Sequence, residues 1–161
     1  MRWRPVTRAV MLFLLLVLLH YTVRPLIGTR VTADFLVIAV LVTAVQVRPG
    51  AAALIGFVTG VVADSLSPLS FGAGAFAMTV VGFLASWLKA AVFGDNVIIQ
   101  AIFIAAGKWV HDVLYLLAER RLGIGEFLAQ LVLWSPLSAI VTGLTALLVL
   151  SMFRPAVEER R

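Results

Sequence analysis

Gly50–Gly74 reads GAAALIGFVTGVVADSLSPLSFGAG, an apolar stretch spaced by small residues that meets an aspartate and then breaks in a Ser/Pro/Gly loop. Ala52, Gly56, Gly60 and Asp64 recur at i+4, so on a helix they share one face. Small residues at that spacing let a second backbone approach closely, which is how helices associate in lipid. A carboxylate closing such a face is costly in a bilayer unless it reaches a partner or the interface. The stretch therefore reads as a packing helix with one polar handle, set in a membrane protein.

Composition points the same way. The 161 residues are 62% hydrophobic and 13% charged, with a mean hydropathy of +1.07. A soluble domain is nearer half apolar and a quarter charged. A spanning helix needs about 20 apolar residues, and about six of them use up most of a chain this long. The expected fold is all-α: one domain over residues 1–161, a polytopic bundle of six transmembrane helices embedded in the bilayer. The chain has no cysteine, which excludes disulfides, thiolate metal sites and cysteine nucleophiles. Its net charge of +5 fits arginine-rich membrane flanks. No basic run carries interleaved aromatics, so nucleic acid is not an expected partner.

Hydropathy and breakers place the helices near 8–23, 33–47, 51–66, 75–93, 97–119 and 127–153. The first has the basic start and apolar middle of a signal peptide but lacks a small-x-small cleavage pattern, so it reads as a retained anchor ended by Arg24-Pro25. Asp34 sits where the second helix enters the membrane, and Arg48-Pro49-Gly50 turns the chain into the third. Six helices put Arg2, Arg4, Arg8, Arg48, Lys89, Arg154, Arg160 and Arg161 on one side. The other side receives Arg24, Arg30, Arg120 and Arg121, and Lys108 is left inside a helix. The excess of basic residues places both termini in the cytoplasm.

Three constellations carry polar chemistry. Three roles are open to Asp64: capping amides of the Ser65–Ser70 loop, binding a partner protein, or holding a proton or ion. In the fifth helix, GKWVHDVLY sets Lys108 and Asp112 one turn apart on one face, with His111 beside them and Tyr115 below. One reading is a neutralised intrahelical pair that lets the helix insert, since a lone charge costs about 2.5–3.5 kcal/mol at the bilayer centre. The other is a polar face packed on the third helix, with Lys108 meeting Asp64. Adjacent His111 and Asp112 point about 100° apart on a helix, which argues against a metal site. His20 has no evident companion. In the sixth helix Trp134-Ser135-Pro136 marks an interruption, and Ser135, Ala139 and Gly143 form another small-residue face. No serine has a histidine placed beside it as a base, and there is no phosphate-binding glycine loop with a lysine or paired carboxylate motif.

Gly56-Phe57-x-x-Gly60-x-x-x-Asp64-x-x-Ser67, with Gly72 eight residues beyond the acid, resembles the rod shape-determining protein MreD family of bacteria. Asp34-Phe35-Leu36 before it, Ala75-Phe76-Ala77-Met78-Thr79 after it, and Leu133-Trp134-x-Pro136 extend the likeness. The resemblance implies a non-enzymatic, multi-pass scaffold of the bacterial inner membrane with cytoplasmic termini and no cofactor. Its implied partner is the membrane helix of MreC, and through it MreB, RodA and a class B penicillin-binding protein of the peptidoglycan-synthesising elongation machinery. Gly56, Gly60, Asp64, Pro68, Gly72, Lys108, His111, Asp112, Trp134 and Pro136 are the candidate packing or partner residues. The family is also similar in architecture to the substrate-binding subunits of energy-coupling-factor vitamin transporters, which supplies an alternative function. Those subunits usually carry A-x-x-x-A in the first helix, and the corresponding AVMLFLLLVLL here lacks it.

Overall fold

A computed structural model describes residues 3–27, 31, 33–66, 70–92, 96–119 and 123–153. Among them the regular structure is all helical, with no strand. The order is α1 (Trp3–Ile27), α2 (Phe35–Ala44), α3 (Pro49–Ser65), α4 (Ala73–Val92), α5 (Val97–Glu119), α6 (Ile124–Ala129), a π-helical segment (Gln130–Trp134) and α7 (Ser135–Phe153). The last three form one uninterrupted rod. That rod and α5 are long and apolar enough to cross a membrane; the other helices hold shorter apolar stretches.

Helix α2 is the axis of the bundle and packs on α1, α3, α4, α5 and α7. Every side chain from Phe35 to Leu41 is buried. It is shorter than hydropathy suggests, because Val45 and Gln46 turn the chain and Arg48 must be extended (φ −75°, ψ 153°) ahead of Pro49 at the first position of α3. From α4, Ser86 Oγ and Lys89 Nζ donate to the Val47 carbonyl at 2.7 and 3.1 Å, fastening that end. Outside this axis the bundle exposes large apolar side chains, among them Met11, Leu54, Trp87, Ile102 and Leu148. A helical bundle with a buried centre and an apolar exterior suits a lipid solvent.

Contact between α3 and α4 is the most extensive among the described helices and explains the glycines. A Cβ on Gly56 would meet the Met78 carbonyl carbon at 2.7 Å, one on Gly60 the Ala75 nitrogen at 2.6 Å, and one on Gly82 the Ala52 oxygen at 2.7 Å. The face of Ala52, Gly56, Gly60 and Asp64 is thus filled by the neighbouring helix of the same chain. Gly143 does the same for α7, where a Cβ would press on Ala105 Cβ at 2.9 Å.

Helix ends differ from the sequence reading in ways that have local causes. Helix α1 continues through Arg24-Pro25 to Ile27, because a proline removes only one backbone hydrogen bond and a final turn survives that loss. The sixth span begins before 127, and its irregularity lies at Gln130–Trp134, immediately N-terminal to Pro136. Pro136 has no N–H and its ring crowds the carbonyl four residues back, so the wider π turn absorbs both defects while the rod continues.

Candidate functional site

Asp34 opens α2 as its N-cap, with Oδ1 accepting from the Val37 amide at 3.3 Å. Its own backbone N–H donates to Thr142 Oγ1 of α7 at 3.1 Å. Lys108 Nζ of α5 lies 3.1 Å from Asp34 Oδ2, and His20 Nδ1 of α1 lies 3.5 Å from Oδ1. Lys108 also donates to Asp112 Oδ1, one turn along its own helix. His111 Nδ1 is 3.2 Å from that same oxygen. One ammonium therefore bridges two carboxylates, each flanked by an imidazole, and the network ties α1, α2, α5 and α7 together. Lys108 is only 7% exposed, and so deep a charge is tolerated because both its neighbours are opposite in sign.

Asp64 serves a separate purpose. Its carboxylate accepts from the backbone amides of Gly72, Gly74 and Ala75 at 2.8, 3.2 and 3.0 Å. These donors belong to the first turn of α4 and the residue before it, where helix amides lack intrahelical partners and the dipole favours an anion. Gly72 makes the turn at φ +98°, a backbone that side chains resist. A Cβ on Gly74 would collide with Asp64 Oδ1. The amides capped lie just beyond the Ser65–Ser70 loop, and Lys108 binds Asp34 in place of Asp64.

Both carboxylate groups border one cavity of about 410 Å³. It is lined by the end of α1, the start of α2, the end of α3, the start of α4, the second half of α5 and the beginning of the last rod. In an up-and-down bundle these are all the same end, the one remote from the start of the chain. Tyr115, whose hydroxyl donates to Ser70 Oγ at 2.9 Å, spans the rim from α5 to the α3–α4 loop.

Of the candidate residues, Asp64, Lys108, His111 and Asp112 meet at this cavity, while Gly56 and Gly60 pack α3 on α4. Gly72 shapes the α4 cap, Trp134 closes the π segment, and Pro136 follows it at the base of α7. Pro68 lies outside the described residues. His111 and Asp112, though adjacent, turn their side chains together instead of 100° apart. Sequence reasoning missed the pairing of His20 and Lys108 with Asp34, and the places of Glu119, Gln130 and Ser138 on the cavity wall. The signal for Asp34 was present: an acid preceding a wholly apolar helix is a buried N-cap that needs a cation.

An all-helical protein with two helices fit to cross a bilayer, an apolar exterior and a buried network of charges is a membrane protein. The family profile of the rod shape-determining protein MreD matches residues 4–154, and the chain belongs to that family. Its role is accordingly in rod shape determination, within a family of shape-determining structural proteins. Comparison with curated proteins and with solved structures returns no match.

Proposed function

We propose that the protein is a non-enzymatic membrane scaffold that holds the membrane helix of MreC and so helps couple cytoplasmic MreB filaments to peptidoglycan synthesis outside the cell. In this reading it is one domain crossing the inner membrane six times, with both termini cytoplasmic, and RodA and a class B penicillin-binding protein are its indirect partners. Family membership carries the proposal. The excess of arginine and lysine at the end bearing the termini supports the orientation. Because Gly56, Gly60 and Gly143 are filled from within the chain, a partner helix meets the apolar exterior, for which α3 offers Leu54, Phe57, Val58 and Val62. Co-purification from membranes tests the reading: an MreC-like protein should be recovered with the tagged chain at matched expression. Its absence from a folded preparation would overturn the scaffold role.

A second reading, a substrate-binding subunit of a vitamin or small-molecule transporter, is favoured by one observation, the polar cavity at the end away from the termini. The missing A-x-x-x-A in α1 counts against it. A vitamin that co-purifies in place of an MreC-like partner would decide for it.

A further inference from the structure

Among the described residues the cavity has more acid than base on its wall. Asp34, Asp64, Asp112 and Glu119 face one lysine, Lys108, with His20, His111 and Tyr115 as the other titratable groups. Asp64 is answered by three amides of the α4 start. Asp34 is answered by its share of Lys108 and by the N-terminus of α2, whose dipole favours an anion. What remains is Asp112, with the other share of Lys108, and Glu119 at the close of α5. Among these described groups the surplus is negative and lies on the α5 side.

Two polar atoms on the same wall point to what balances it. Ser135, 1% exposed, has a buried Oγ with no hydrogen-bond partner. His111, 6% exposed, has a buried Nε2 with none. Carboxylate oxygens only accept, so we assign the neutral ring's proton to Nδ1, facing Asp112 Oδ1. His111 Nε2 is then a bare acceptor. A buried acceptor without a donor is costly, and His111 lines a cavity in the size range of small-ligand sites, about 300–1,000 Å³. No group of three or more His, Asp or Glu side chains able to hold a metal occurs among the described residues.

We propose that this cavity binds a primary ammonium group, whose N–H donors satisfy His111 Nε2 and Ser135 Oγ while its charge offsets Asp112 and Glu119. Two sources present that chemistry: the headgroup of phosphatidylethanolamine and a free primary amine. The proposal is independent of MreC binding.

The test uses the full chain, purified in detergent with an amine-free buffer. Thermal unfolding is followed against increasing ethanolamine, with choline and ethylene glycol as controls that lack either the N–H donors or the charge. Ethanolamine should raise the midpoint saturably and the two controls should not. Ser135→Ala and His111→Phe should each weaken the effect about tenfold, the loss of one charge-assisted hydrogen bond. Ser135→Ala changes one oxygen on a packed helix and keeps the comparison valid should His111→Phe not fold. Reconstitution in nanodiscs of phosphatidylethanolamine, phosphatidylcholine and phosphatidylglycerol in equal parts, followed by native mass spectrometry, separates the sources. Selective retention of phosphatidylethanolamine, lost in Ser135→Ala, assigns the headgroup; an ethanolamine response without it assigns a free amine. Equal responses to ethanolamine and choline, no response to either, or an undiminished response in Ser135→Ala would overturn the proposal.

Discussion

Lys108 divides one positive charge between Asp34 and Asp112, and that sharing ranks the substitutions around it. Lys108→Ala strands two buried carboxylates, whereas Asp112→Ala leaves Lys108 still paired with Asp34. Removing one partner of a buried pair costs about 3–5 kcal/mol, so Lys108→Ala should sit at the top of that range or above it and Asp112→Ala below it. An isolated intrahelical pair would be cured by making both positions apolar. Here Lys108→Met with Asp112→Leu takes from Asp34 the ammonium that offsets its charge, and should recover only part of the folded yield. Adding Asp34→Asn, which keeps the cap and removes the charge, should recover most of the rest. Fluorescence-detected size exclusion of the tagged variants reads all four. Full recovery in the double variant would show that Asp34 does not depend on Lys108. The local half of this arrangement was legible because i and i+4 on a helix are neighbours whatever the fold. Asp34 was not, because its approach to Lys108 depends on how α2 is enclosed.

Helices α3 and α4 meet through backbone, and their register is a ladder. Ala52 faces Gly82, Gly56 faces Met78, Gly60 faces Ala75, and Asp64 reaches Gly72, Gly74 and Ala75. A side chain at any glycine rung separates the whole pair, since neither backbone has room to yield. Gly60→Leu should therefore lower the thermal midpoint sharply and reduce folded yield, with a penalty in the 1–3 kcal/mol or greater range of overpacking. Leu14→Ala should be nearly silent, because Leu14 is 59% exposed on α1 and lipid replaces the contacts it loses. Similar midpoints for the two variants would remove close packing as the reason for the glycines. The G-x-x-x-G spacing announced a packing face in the sequence. It did not say which helix fills that face, and the answering glycines, Gly74 and Gly82, carry no such repeat.

At the scale of the whole molecule the order of elements puts the α1–α2, α3–α4 and α5–α6 connections at one end, with the cavity, and the chain start at the other. In this cysteine-free chain, single cysteines at Thr7, Gln46 and Phe71 report the orientation proposed. An impermeant thiol reagent applied to intact cells should label only position 71, which is 62% exposed; labelling at 46 without 71 would invert the topology. The all-helical character was legible from hydropathy, because apolar runs broken by small residues and turn signals read as packed helices. The central place of α2 was not: its run is the most apolar of the long helical segments, but an apolar run suits lipid as well as a protein interior, and its enclosure is a property of the assembled bundle. That enclosure bears on how the chain is made. Ten residues of helix span about 15 Å, half of a hydrocarbon core near 30 Å. Alone, α2 is too short to halt in a translocation channel, and both its ends need groups that are synthesised later: Ser86 and Lys89 at one, Lys108 and Thr142 at the other. Its final position is therefore completed only once α7 has been made, and a nascent chain arrested before Thr142 holds its central helix by α4 and α5 without the last of these fastenings.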